Sequence, residues 1–211
     1  MSKKPVHAKR ESSIRDQAHK ANVLFVMIAS GLALFGCAGG PAEVQLTGFQ
    51  DPLFPDRHRV TFPHWTYRAD AGGDIHITAR AENVKLNPAA LNEPPATHSI
   101  HMHLVWTPQP GHTPAPTSGI DATIRYLVET PRGHTLYVGT AFVYFEKQSF
   151  GDGIKVALER SELRRAERGG NFDPNLSPLR MVAELTAELA PNRTVTVQRD
   201  MDRVWSEVAQ R

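Results

Sequence analysis

Three histidines are the residues of this chain whose type and spacing could do chemistry. His101 and His103 form an H-x-H within "HSIHMHLVW" (98–106), and His76 lies in "GDIHITARA" (73–81). Side chains at i and i+2 of a strand share a face, so two imidazoles could grip one ion and a third from a neighbouring strand could complete the site. Sequential strands are neighbours about two-thirds of the time. Against this, polar strand faces carry polar residues for solubility alone, and no carboxylate recurs at a fixed offset from these histidines. The rings converge only if the strand register sets position 76 opposite 101 or 103, since a one-residue slip turns every side chain over. The expectation is that His101 and His103 share a face while His76 misses a productive coordinating geometry. No cofactor is therefore expected, and a metal-binding protein or metal-dependent enzyme using His76, His101 and His103 is the alternative reading.

Cys37 is the only cysteine in 211 residues, so no intrachain disulfide is possible. It ends a segment that begins with six Lys/Arg (Lys3, Lys4, Lys9, Arg10, Arg15, Lys20) and continues with "VLFVMIASGLALF" (23–35). A basic start, about a dozen apolar residues and a small-residue exit form the pattern of a secretory signal peptide. A spanning helix needs roughly 17–25 apolar residues. The exit "LFGC" resembles the lipobox of bacterial lipoproteins, with Leu34 three before the cysteine and Gly36 directly before it. The resemblance implies cleavage before Cys37, lipidation of its thiol and acylation of the new amino terminus. Two alternatives stay open: cleavage after Ala38, releasing a soluble protein, or retention of the segment as an uncleaved anchor. The expected organisation is a signal peptide at 1–36, a lipidated tether at 37–42 and one domain at 43–211.

Charge follows the same division. Six of the 24 Lys/Arg and two of the 22 Asp/Glu fall within 1–36, leaving 18 basic against 20 acidic residues. A near-neutral domain lacks the basic stripe that nucleic acid requires, so no nucleic-acid partner is expected. The expected partners are the membrane, through the lipid, and an envelope protein or the cell wall. Ala38 after the cysteine favours the outer membrane under the sorting habit of lipoproteins in two-membrane bacteria.

The elements that must position the histidines read mostly as strands. Ile75, Ile77 and Ala79 alternate with His76, Thr78 and Arg80; Ile100, Met102 and Leu104 alternate with His101 and His103. "IDATIRYLVE" (120–129) alternates as well. "TPRGHT" (130–135) supplies a turn, with Pro131 presetting one dihedral and Gly133 free to take a positive φ. "LYVGTAFVYF" (136–145) is apolar on both faces and so central, and Gly139 within it marks a bulge or a close backbone approach. "RMVAELTAEL" (180–189) is expected as a strand, followed by "APN" as a turn and "RTVTV" (193–197) as a further β-branched run. Met201, Val204, Trp205 and Val208 have the spacing of an amphipathic closing helix.

The fold class expected is mainly β, an antiparallel β-sandwich with a short C-terminal helix. "TPQPGHTPAPTSG" (107–119) reads as an extended surface loop. "HSIHMHLVWTPQPGHTP" followed by "ATIRYLVETPRGHTLYVGTAFVYF" resembles a pattern in small uncharacterised exported bacterial proteins, and that resemblance implies no catalytic activity. No nucleophile elbow, zinc-protease helix, P-loop or dinucleotide fingerprint occurs. The expectation is thus a non-catalytic binding or structural lipoprotein of the cell envelope.

Overall fold

The structure, a computed structural model, describes residues 40–87, 93–105, 120–148 and 151–209. Cys37, its leader and the proline-rich 107–119 lie outside the described residues. Nine strands are followed by one helix: β1 (Ala42–Gly48), β2 (Asp56–Phe62), β3 (Trp65–Ala69), β4 (Ile75–Val84), β5 (Ala96–Leu104), β6 (Ile120–Thr130), β7 (Gly133–Lys147), β8 (Ile154–Gly170), β9 (Leu179–Leu189) and α1 (Pro191–Ala209).

The chain is mainly β and antiparallel with a C-terminal helix, as the alternation predicts. All nine strands belong to one sheet in the order β2-β1-β9-β3-β4-β5-β6-β7-β8, and β8 also pairs with β9. That extra pairing closes β3 through β9 into a ring, so the two layers of the expected sandwich are the opposed walls of a single curled sheet. A ring of seven strands cannot alternate direction throughout. The mismatch falls between β3 and β9, which run parallel through Thr66↔Glu188 and Tyr67↔Leu189. The β1–β2 hairpin pairs with the other half of the same β9 edge, from Val44↔Ala183 to Gly48↔Leu179.

Closure requires β8 to curve, and β-bulges supply the bend. Against β7 its register shifts between Leu136/Tyr137 and again between Thr140/Phe142. Against β9 it shifts between Leu158 and Leu163. Ser161 repairs the ladder there: its hydroxyl donates to the Met181 carbonyl at 2.7 Å, and its oxygen accepts the Met181 N–H at 2.5 Å. The interior of the ring is one continuous apolar core that includes Trp65, Ile77, Ile100, Tyr126, Tyr137 and Met181.

One expectation changes. "RTVTV" is helical: α1 begins at Pro191, which has no N–H to give a ladder and suits the first helical turn. Thr194, Met201 and Val204 are buried, at helical spacing, which outweighs the β-branched preference of Val195 and Val197. The charge-dense run 160–168 belongs to β8, pairs chiefly with β7, and keeps Glu162, Arg164, Arg165 and Arg168 exposed to solvent, as a charged face should be.

Gly139 shows the close approach that its place in an apolar strand suggests. A Cβ there would run into the Glu162 carbonyl and the Leu163 Cα, both backbone atoms across the β7–β8 pair. Gly139→Ala should therefore force the strands apart and cost about 1–3 kcal/mol, as overpacking does. A urea titration showing an unchanged midpoint would contradict this packing.

Candidate functional site: a buried histidine relay beneath α1

The register of β4 on β5 sets His76 opposite His103 and Thr78 opposite His101. On the next strand His101 faces Arg125, and His103 faces Thr123. All of these side chains project from the outside of the ring, since the alternate positions Ile77, Ile100, Met102 and Ile124 fill its interior. Helix α1 covers part of this outer patch. His76 and His101 are consequently buried at 7% and 4% exposure, while the His103 side chain keeps 32%.

His76 thus lies against the other two, with its nitrogens bonded to His101 and Asp70. The reason for their meeting is the register of β4 on β5, which alternation leaves open. The rings lie nearly parallel, His76 on His103 with centroids 4.5 Å apart and His76 on His101 at 5.3 Å.

Their nitrogens form a directed chain. The Arg125 guanidinium, which can only donate, gives hydrogen bonds to His101 Nδ1 from Nε at 3.2 Å and from Nη2 at 2.7 Å. His101 Nδ1 is therefore the unprotonated nitrogen, and Nε2–H donates to His76 Nδ1 at 3.1 Å. His76 Nε2–H in turn points to Asp70 Oδ2 at 3.4 Å. Beside this chain His103 Nε2 bonds Asp74 Oδ2 at 2.9 Å. At the other end Arg125 Nη1 donates to Asp202 of α1 at 2.5 Å.

Further bonds fasten the helix to the same face. Arg80 Nη1 meets Asp200 at 2.7 Å, and Arg68 Nη2 donates to Gln198 at 3.1 Å. Thr194, Thr66 and Thr78 form a buried hydroxyl chain with 3.1 Å steps. Met201 and Val204 pack on Leu127 and Leu136, an apolar cluster separate from the interior core.

Electrostatics keep the relay neutral. Burial, then the Arg125 charge and the neighbouring imidazoles, push His101 down to about 3. His76 is also lowered, chiefly by burial, although the bond to Asp70 opposes this. Desolvation works against the Asp70 charge, but bonds from His76 and from the backbone N–H groups of Asp74 and Gly72 hold its carboxyl below the ordinary range. Inside the ring, burial lowers His98 to about 4, where its Nδ1 accepts from the Tyr126 hydroxyl at 2.7 Å and its Nε2–H faces the Val84 carbonyl.

The arrangement suits clamping more than coordination. The ring nitrogens are aimed at one another or at carboxylates, and a permanent cation stands beside His101. Among the described residues no group of three or more His, Cys, Asp or Glu side chains is placed to hold a metal ion. Sequence reasoning missed Asp70, Asp74, Arg125 and Asp202. The first two flank the A-G-G turn just before His76, and Arg125 occupies a polar position of an alternating strand; Asp202 carries no such signal. No protein family, curated protein or solved structure matches the chain.

Three outcomes check this site. Arg125→Leu leaves His101 Nδ1 buried without its donor and should cost about 1–3 kcal/mol. Asp202→Asn, on a half-exposed pair, should cost no more than about 1 kcal/mol, which chemical denaturation would resolve. The pH dependence follows from His98 and His101, whose folded values of about 4 and about 3 lie below the ordinary 6.5. Their contribution is complete above pH ~6.5 and is lost as pH falls toward those folded values, because the unfolded chain takes up protons first. Each group steepens the loss by about 1.4 kcal/mol per pH unit. His101→Gln should reduce the slope between pH ~6 and ~4 by that amount; an unaltered slope would mean that His101 is already charged in the fold.

Proposed function

We propose that this chain is a membrane-anchored lipoprotein of the bacterial cell envelope, whose β-domain serves a binding or structural role without catalysis. The observation that carries the reading is the position of Cys37, the lone cysteine, at the end of "LFGC" and five residues before β1 begins at Ala42. At most ~3.6 Å per residue, the tether allows about 18 Å between the lipid attachment point and the first strand. One acyl chain holds only marginally, whereas two or three chains hold firmly. The near-neutral charge of the domain is consistent with anchoring by lipid rather than by a polybasic patch.

The histidine patch supports a non-catalytic role, because its ring nitrogens are engaged with one another, with Asp70 and Asp74, and with Arg125, which also holds α1. Envelope proteins and the cell wall are the partner classes that fit an anchored domain of this kind, and the outer membrane is the proposed site.

Mass spectrometry of detergent-extracted protein checks the anchor. The expected mature chain starts at Cys37 and carries diacylglyceryl and acyl mass, and Cys37→Ser should abolish both the added mass and cleavage at that position. A mature terminus at Gly39 with no lipid would overturn the proposal.

A further inference from the structure

We propose that the β1–β2 turn is a second membrane contact, with Leu53 and Phe54 inserting as an apolar wedge into the bilayer that holds the Cys37 lipid. Leu53 is 82% and Phe54 76% exposed, more than any other large apolar side chain among the described residues. They are adjacent, so the apolar surface is concentrated at one tip. The turn is also built to hold them out. Asp51 accepts the Leu53 N–H through Oδ1 at 2.9 Å and the Phe54 N–H through its carbonyl at 3.2 Å, and Pro52 and Pro55 bracket the pair with fixed φ. A tip stiffened in this way loses little conformational entropy when it docks.

The occupant follows from chain length. This inference rests on the lipid anchor proposed above. From Ala42, Cys37 can be no more than about 18 Å away, and Gly48, at the far end of β1, is about 20 Å away at ~3.4 Å per residue. Any bilayer carrying the Cys37 lipid is therefore within reach of the tip, provided that β1 leans toward the membrane plane instead of standing on it. Exposed aromatic and aliphatic side chains in that position meet the headgroup and acyl boundary, where burial of apolar surface is favourable. Charge contributes little, because Asp51 and Asp56 offset Arg57 and Arg59 around the tip. The contact should accordingly be apolar and insensitive to salt, unlike the attraction of a basic patch.

The test uses the full lipid-bearing chain in vesicles of phosphatidylethanolamine with a minority of phosphatidylglycerol. Phe54→Cys carries a nitroxide, and the lipidated Cys37 has no free thiol to compete for the label. Ser206→Cys, exposed on α1, is the aqueous control, and far-UV circular dichroism verifies the fold of both variants. The expected result is that oxygen, which concentrates in lipid, relaxes the label at 54 more than a water-soluble nickel complex does. The reverse order is expected at 206, and both results should be unchanged at high salt. A lipid-bearing chain whose residue 54 reports water overturns the wedge and leaves the anchor standing. A chain without lipid mass overturns the anchor, and the wedge with it.

Discussion

The Arg125 guanidinium, held between Asp202 of α1 and His101 of β5, is the constraint on which the outer face of this domain depends. A guanidinium keeps its charge and offers donors only. Set against His101 Nδ1 it fixes that ring's tautomer, which fixes His76 and the direction of every proton as far as Asp70. The same cation ties the sheet to the helix. The connection runs through five side chains, four of them on α1, β6, β5 and β4 and the fifth in the β3–β4 turn.

Helix α1 needs such fastening because its apolar contact is small. Met201 and Val204 on Leu127 and Leu136 would attract the helix without fixing its position, since dispersion and burial are non-directional. The bonds of Asp200, Gln198 and Thr194 to Arg80, Arg68 and Thr66 have narrow geometry, and they fall within two turns of the helix. The apolar cluster supplies attraction, and the polar points fix where the helix rests.

The ring beneath has its own dependence on one element. Strand β9 pairs with β8 along one edge and with both β1 and β3 along the other, so closure, the parallel joint and the attached hairpin all meet on eleven residues. Its alternation of buried Met181, Ala183, Leu185 and Ala187 with outward Arg180, Val182, Glu184, Thr186 and Glu188 lets it serve all three neighbours without burying a charge. The bulges of β8 complete the arrangement by turning its long strand around the wall.

By itself the sequence determined the strands β4 to β7 and β9, the apolar face of those that alternate, and that His76, His101 and His103 belong to the polar side. These are properties of local spacing: period two is visible in "GDIHITARA" and "HSIHMHLVW", and the conflict around Gly139 is visible in an apolar strand lacking one side chain. It also determined that the last segment is amphipathic. Only the tertiary structure decided the register that sets His76 on His103, because β4 and β5 alternate equally well in registers two residues apart. The helical state of "RTVTV" was likewise decided there, since its β-branched residues favour a strand until Pro191 ends the ladder and Thr194 finds a buried seat. The partners Asp70, Arg125 and Asp202 come from a turn, a strand and a helix up to 132 positions apart in the numbering of this chain. No local period encodes such a distance, and only closure of the sheet followed by docking of α1 brings their charges together.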